Sequence, residues 1–129
     1  MKYNHTKFNG CYVIDTDIHY DSRGSFTKCY NEKEFLKNGI NYAFKEQFFT
    51  ISHKNVLRGM HFQLPPHEHC KLVSCFSGAV LDVLLDLRKG SSTYGESESF
   101  ELSANNGKTL FIPIGMAHGF LSLEDNSGM

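Results

Sequence analysis

The sequence predicts an all-β protein, an antiparallel sandwich or barrel with one short helix, and two observations support this prediction. Short apolar runs recur along the 129 residues, separated by clusters of Gly, Asn, Asp, Ser and Pro. The 11 Phe and 6 Tyr enrich the chain in residues that favour strands. Many short strands with a single helix are typical of such folds rather than of layered α/β proteins.

Nine segments carry strand signals, and one segment between them carries a helix signal. Asn31 caps the predicted helix, Glu34 stands three residues on, Phe35 and Leu36 give it an apolar side, and Gly39 ends it. The predicted strands are Cys11–Asp15, Ser25–Tyr30, Ala43–Ser52, Asn55–Gln63, Lys71–Phe76, Ala79–Leu87, Ser97–Leu102, Lys108–Pro113 and His118–Leu123.

Length and charge limit the function classes. A chain of 129 residues suits one domain with one hydrophobic core, and we expect a single domain over residues 1–129. The formal net charge of -1 provides no basic field for nucleic acid. No apolar run is long enough to cross a bilayer, and the N-terminal residues lack the apolar core of a signal peptide. We therefore expect a cytoplasmic protein that binds neither nucleic acid nor membrane.

The four cysteines, Cys11, Cys29, Cys70 and Cys75, form no Cys-x-x-Cys pair. Without a secretory signal, reduced thiols are the simplest interpretation. Zinc binding by Cys70 and Cys75 is an alternative, but their spacing supports it weakly. Buried structural cysteines explain the same pattern.

The segment Ala79–Leu87 alternates in a way that permits two interpretations. Its odd positions are all apolar, whereas its even positions mix apolar residues with Asp82 and Asp86. The mixed face could line a barrel that holds a ligand. It could equally be the wet face of an edge strand, and periodicity does not decide between them.

The segment Arg58–Gln63 combines basic and amide side chains in a stretch that favours β-structure. The period of two puts His61 and Gln63 on one face of the strand. Arg58 falls on the opposite face unless a bulge near Gly59 redirects it. Taken alone, His61 could be a hydrogen-bonded core histidine.

Two further segments resemble the motifs of cupin barrels, with one informative difference. Gly107, then Pro113-x-Gly115, then His118 follow the second cupin motif. In the first motif, Gln63 replaces the second histidine and Lys71 replaces the acid. An ammonium group has no lone pair and repels a divalent ion, so the sequence predicts a site without metal. A metal-dependent cupin is the less supported alternative.

His67 and His69 flank Glu68 after two prolines. Such a triplet could bind metal, but no third or fourth ligand stands at a useful spacing. A mobile, solvated loop after the two prolines is therefore strongly favoured over a metal site.

Together the motifs resemble the dTDP-4-dehydrorhamnose 3,5-epimerase family over nearly the whole chain. The resemblance implies a cupin-type jelly-roll, a homodimer that exchanges N-terminal strands, and a nucleoside-diphospho-4-keto-6-deoxy sugar as substrate. It also implies a role in deoxysugar biosynthesis for a carbohydrate coat such as the O-antigen of lipopolysaccharide. No redox change occurs, so no cofactor is needed. The motifs are Asp21–Phe26, Val56–Gln63, Lys71–Val73, Gly78 with Asp82-Val83, Asp86–Arg88 with Gly90-Ser91, and Ile112–Phe120.

The same resemblance assigns roles to individual residues. His61 matches the proton acceptor, and Lys71 matches the residue near the 4-keto oxygen. The matched substrate-contacting positions are Arg23, Gln47, Arg58 and His118, to which we add Gln63 because it shares a face with His61. Each also has a structural explanation: a solvated strand start for Lys71, a turn for Arg23, a pair with Asp82 or Asp86 for Arg58, and a loop cap for His118.

Three departures from the family pattern stand out. Lys28 replaces a usual Glu, and Phe48-Phe49 replace a usual Asp-Asn, which suggests a different nucleotide or sugar preference. Family members continue past the last motif with a Tyr proposed as proton donor and an Asp that orients the histidine. We expect this chain to lack both, either as a truncated product or as a short paralogue. The alternative function is a catalytically incomplete protein that binds a nucleotide sugar or only dimerises.

Overall fold

Two four-stranded antiparallel sheets face each other in the computed structural model, which describes residues 1–129. The first sheet has the order β1-β2-β10-β7 and the second the order β6-β11-β8-β9, while β3-β4 and β5-β12 form separate pairs. The elements are β1 (Lys2–His5), β2 (Tyr12–Asp15), β3 (Ile18–Asp21), β4 (Gly24–Thr27), α1 (Glu32–Lys37), β5 (Ile51–Ser52), β6 (Leu57–His61), β7 (Lys71–Ser74), β8 (Ala79–Asp86), β9 (Ser97–Ser103), β10 (Lys108–Ile112), β11 (Met116–Ser122) and β12 (Ser127–Gly128).

The predicted fold class, an all-β jelly-roll with one short helix, is confirmed. The prediction for Ala43–Ser52 is wrong over most of its length, because only Ile51–Ser52 finds a partner strand, β12. Residues 38–50 contain no regular element beyond the helix C-cap. The sequence prediction also missed the strands β1, β3 and β12.

The single helix begins as the sequence predicts and covers the outer face of the first sheet. The Asn31 side chain accepts a hydrogen bond from the Glu34 amide at 3.2 Å. Phe35 is fully buried against Ile14 and Phe111. Neither this helix nor any other part of the chain forms a helix long and apolar enough to span a membrane.

The strand β8 resolves the ambiguity that periodicity left open. It pairs with β11 on one side and β9 on the other, so it is not an edge strand. Its even positions, including Asp82 and Asp86, are completely buried, whereas most odd positions are half-exposed. The mixed face therefore lines the interior between the sheets. The interior core consists of Phe8, Cys11, Cys75, Val80, Leu84, Leu102, Leu110, Ile112, Met116 and Phe120.

Asp86 at the end of β8 anchors the loop to β9. It accepts hydrogen bonds from Arg88 Nε at 2.9 Å and Nη2 at 2.7 Å, and from the Ser91 and Thr93 hydroxyls at 2.7 Å each. Arg88 Nη1 reaches the Asn9 carbonyl at 2.6 Å. The Arg88 guanidinium holds the pKa of Asp86 well below its usual range. This network ties the loop to the N-terminal region.

A bulge in β6 brings Arg58 to the same face as His61. His61 pairs with His118, but Arg58 pairs with Phe120, so three steps along β6 match two along β11. The extra residue reverses the alternation of faces. Phe120 belongs to the interior core, and residues directly opposite each other point to the same face. The redirecting bulge near Gly59 is therefore present.

Two glycines allow the backbones to approach at this bulge. A Cβ atom at Gly59 would overlap Gly119 Cα, and one at Gly119 would lie 2.8 Å from the Arg58 carbonyl oxygen. Gly59 also has φ +131, which L side chains rarely adopt. Only glycine fits both positions without separating the strands.

We expect Asp86→Asn to lower the free energy of unfolding at pH 7 by about 1.5–3 kcal/mol, because it weakens hydrogen bonds to a charged partner. A depressed pKa means that this stabilisation is complete above about pH 4 and is lost as the pH falls further. Urea unfolding at pH 7 and pH 3 should show a smaller loss on acidification in the variant than in the wild type. Equal losses of stability on acidification in Asp86→Asn and the wild type would contradict this account. Asp125→Asn is the surface control.

We expect Gly59→Ala to destabilise the protein by about 1–3 kcal/mol more than Gly24→Ala. Gly24 has nearly the same φ, +129, but nothing lies within 4 Å of its added Cβ. The difference between the two variants in urea unfolding therefore isolates the steric overlap with Gly119 from backbone strain. Indistinguishable losses would show that β6 and β11 separate without cost.

Candidate active site

Four interior-facing polar residues come together from both sheets: His61 on β6, Lys71 on β7, Asp82 on β8 and His118 on β11. His61 lies directly opposite His118 in the strand register. Lys71 lies opposite Ile112, a core residue, so its side chain also points between the sheets. The structure thus places the imidazole of His61 and the amine of Lys71 in the same interior.

Lys71 and His61 meet across the gap between the two sheets. The strands β7 and β6 are the edges of the first and second sheet, and Lys71 Nζ donates a hydrogen bond to the His61 main-chain oxygen at 3.0 Å. Burial lowers the pKa of the Lys71 amine, and the nearby Asp82 carboxylate opposes this effect. The His61 ring is exposed and makes no hydrogen bond within the chain. Its ring nitrogens therefore remain available to a ligand.

Asp82 and His118 form a buried acid–imidazole pair. Asp82 Oδ2 lies 3.2 Å from His118 Nδ1; the Asp82 side chain is 0% exposed and the His118 side chain 14% exposed. Burial raises the pKa of Asp82, while the His118 hydrogen bond and the charges of His118 and Lys71 oppose the rise. Asp82 Oδ1 is buried without any hydrogen-bond partner.

Asp82 is a member of this cluster that the sequence does not predict as a site residue. The alternating pattern of β8 placed Asp82 on the mixed face but did not reveal that this face is the interior. An acidic residue among buried apolar neighbours on one strand face is the signal that could have identified it.

Arg58 projects from the bulge towards β5. Its Nε donates to Ser52 Oγ at 2.9 Å and its Nη2 to the Ile51 carbonyl at 3.4 Å, and it pairs with neither Asp82 nor Asp86. Its Nη1 makes no hydrogen bond within the chain. The guanidinium therefore keeps donors that can bind an anionic ligand at the edge of the interior.

The two glutamines lie outside the strands that carry the cluster. Gln63 is two residues beyond the end of β6, and Gln47 lies in the irregular segment before β5; both are exposed. Neither makes a hydrogen bond through its side chain. The structure therefore leaves both amides unbonded and does not bring either into the cluster.

Arg23 lies in a hairpin that is separate from both four-stranded sheets. It caps the turn of the β3–β4 hairpin, where its Nη2 lies 2.6 Å from Asp21 Oδ2. This hairpin follows Thr16, which contacts Gly107 just before the start of β10, whereas Lys71 pairs with Ile112 at the other end of β10.

The departures from the family pattern lie in two different places. Lys28 lines a polar cavity of about 260 Å³ between the hairpin, the N-terminus and α1, together with Glu34 and Asp17. Phe48 and Phe49 are exposed on the segment that leads to β5.

No three His, Cys, Asp or Glu side chains in the chain stand where they could hold a metal ion together. Cys70 and Cys75 are both free thiols, and Cys75 is buried. His69 Nδ1 contacts the main-chain oxygen of His67 at 3.3 Å in the loop after the prolines. The proposed zinc and metal-loop alternatives therefore lack a ligand set in this structure.

Known proteins share both the sequence and the architecture of this chain. The family model described as dTDP-4-dehydrorhamnose 3,5-epimerase matches residues 5–129. The dTDP-4-dehydrorhamnose 3,5-epimerase of Methanothermobacter thermautotrophicus is 42% identical over 120 residues, which are 93% of this chain and 64% of that protein. The chain thus spans just under two thirds of the length of that relative.

Solved structures agree with the sequence relatives. The dTDP-4-dehydrorhamnose 3,5-epimerase of Elizabethkingia anophelis superposes with a TM-score of 0.90 at 41% identity, covering 99% of this chain and 70% of that one. The dTDP-6-deoxy-D-glucose-3,5-epimerase of Legionella pneumophila, solved in complex with dTDP-4-keto-L-rhamnose, gives 0.93 at 35% identity and covers 98% and 68%. Because the family model covers nearly all of its residues, this chain belongs to the dTDP-4-dehydrorhamnose 3,5-epimerase family.

Proposed function

We propose that the chain epimerises a nucleoside-diphospho-4-keto-6-deoxy sugar at C3, C5 or both, in deoxysugar biosynthesis of the rhamnose type. The observation that carries this proposal is the meeting of His61 and Lys71 in one interior, where Lys71 Nζ lies 3.0 Å from the His61 main-chain oxygen. The relative from Legionella pneumophila, which binds dTDP-4-keto-L-rhamnose, supports the substrate class.

The chemistry requires a base and a fixed cation, and these two residues supply them. A proton on the carbon next to a ketone is acidic only when the enolate oxygen is stabilised. The free His61 imidazole removes this proton, and the electron pair of the C–H bond moves onto the ketone oxygen. The Lys71 ammonium donates one hydrogen bond to the His61 carbonyl and has two further N–H donors, which stabilise the resulting charge. Return of a proton to the opposite face of the carbon inverts the centre.

The remaining predicted residues are assigned to binding the substrate. Arg58 retains free guanidinium donors at the edge of the interior, which suit a diphosphate. His118 faces the same interior as His61. Gln47 and Gln63 have exposed amides without hydrogen bonds within the chain, and we assign them to contacts with the sugar or the nucleotide.

Wild-type protein should exchange the C3 or C5 proton of a dTDP-4-keto-6-deoxy sugar for deuterium in heavy water, as measured by NMR. We expect His61→Ala to lower the exchange rate by at least about 10²-fold, because the general base is lost. Lys71→Met should cause a loss of about 10²–10³-fold, because the enolate loses its cation.

His53→Ala is the matched control, because His53 is a largely exposed histidine whose ring contacts Asp125 and none of the four clustered residues. Its exchange rate should equal that of the wild type. Calorimetry with dTDP should show that His61→Ala still binds the nucleotide. A folded wild type that binds the sugar nucleotide but exchanges no proton would support the alternative, a binding protein without turnover.

We also propose that the chain forms a homodimer. The outer face of the second sheet is apolar and only partly covered, since Leu57, Leu121 and Leu81 lie opposite one another across β6, β11 and β8. Leu57 is 73% exposed, and Val83 extends the same face. A contiguous apolar sheet face in water favours burial against another surface. Exchange of the free β3–β4 hairpin would bring Arg23 to the site of a partner.

Light scattering after gel filtration should give the mass of a dimer for the wild type. Val83→Lys should shift the mass towards a monomer, because it places a charge in the middle of the apolar face. Leu36→Lys is the control, since Leu36 is a half-exposed leucine on α1. A monomeric wild type, or equal dimerisation of both variants, would contradict this interface.

A cytoplasmic location and a single cupin-like domain complete the proposal. The four cysteines are all unpaired, as is usual for thiols in a reducing compartment. Two sheets that share one interior core are consistent with one folding unit.

A further inference from the structure

Two carboxylates on β8 are completely buried on the same face, but their surroundings differ. Asp86 accepts hydrogen bonds from Arg88, Ser91 and Thr93. Asp82 accepts a single hydrogen bond, from His118, and its second oxygen has no partner. A buried carboxylate with an orphan oxygen is costly for folding, so its presence calls for an explanation other than stability.

The contact with Asp82 determines which nitrogen of His118 carries hydrogen. A carboxylate can only accept hydrogen bonds, so the nitrogen 3.2 Å from Asp82 Oδ2, Nδ1, is the donor. In a neutral ring the other nitrogen, Nε2, then keeps its lone pair. Nε2 makes no hydrogen bond within the chain. It is therefore free to accept a hydrogen bond from a ligand.

The position of His118 makes this nitrogen relevant to the reaction. His118 lies directly opposite His61 on the neighbouring strand, and both face the interior. Lys71 is close enough for its charge to interact with Asp82. An acceptor that faces the same interior as the base and the cation is well placed for a hydroxyl group of a bound sugar.

We propose that Asp82 is a positioning residue that fixes the ring orientation and tautomer of His118, so that Nε2 accepts a hydrogen bond from a sugar hydroxyl. This inference rests on the proposed epimerase function, since the sugar is the ligand it names. Asp82 itself does not touch the reacting carbon. The unpaired Asp82 Oδ1 is then the folding cost of keeping a carboxylate beside His118.

The first test needs no substrate. Nitrogen-15 NMR of the histidine rings in the ligand-free protein reports the tautomer of His118. We expect hydrogen on Nδ1 in the wild type and a shift towards hydrogen on Nε2 in Asp82→Asn. The Asn amide can donate a hydrogen bond to Nδ1 as well as accept one from it, whereas a carboxylate only accepts. His118→Gln identifies the resonances by removing them.

The second test separates positioning from a structural role. Asp82→Asn should lower kcat for deuterium exchange on the order of 10²-fold, as expected when a substrate contact is misplaced. Binding of dTDP, which lacks the 4-keto-6-deoxy sugar of the substrate, should be unchanged. Burial raises the pKa of Asp82, so this residue favours the folded state when protonated and that contribution is lost as the pH rises. The melting temperature of Asp82→Asn at pH 7 should therefore equal or exceed that of the wild type.

Asp125→Asn is the matched control, because Asp125 forms the other Asp–His contact of the chain, with His53 on the surface. It should leave exchange unaffected. An exchange rate of Asp82→Asn within twofold of the wild type, or an unchanged His118 tautomer, would overturn the inference. A wild type without any exchange would instead refute the proposed function, and the NMR measurement would still decide whether Asp82 sets the tautomer.

Discussion

The close approach of β6 and β11 at Gly59 and Gly119 is the constraint on which the candidate site depends. In a regular strand, Arg58 and His61 would point to opposite sides of the second sheet. The bulge adds one residue, and the absence of side chains at the two glycines lets the backbones meet. One local irregularity thus puts a guanidinium and an imidazole in the same interior without altering the rest of the ladder.

The interior also holds two buried carboxylates on one strand whose surroundings differ. At the end of β8, Asp86 is surrounded by donors, and its charge is balanced by Arg88. Four residues earlier, Asp82 has one donor and an orphan oxygen although it is equally buried. Polar groups in a core are normally satisfied, and exceptions concentrate where a ligand acts. The contrast along β8 distinguishes the structural carboxylate from the one beside His118.

Sequence patterns predicted most elements of this fold. The predictions failed where the structure depends on pairing between strands that are distant in sequence. Asn31 and Glu34 start the helix as expected, because capping involves only neighbouring residues.

The glycine at position 59 suggested a bulge, but its formation depends on Gly119 in another strand. The alternation of β8 identified two faces, yet only its pairing with β9 and β11 shows that Asp82 lies inside. Residues 43–49 have strand composition but pair with no strand, and regular pairing begins only where Thr50 exchanges backbone hydrogen bonds with Met129. Arg23 matches a family motif, yet its hairpin stands apart from the cluster.

The hydrogen bond from Lys71 to the His61 carbonyl joins the free edges of the two sheets. An ammonium has three N–H donors, so the Lys71 amine can keep this carbonyl and still bind an oxyanion, as the proposed function requires. The carbonyl would then hold the amine in place before a ligand arrives, and separation of the β6 and β7 edges would remove that preorganisation.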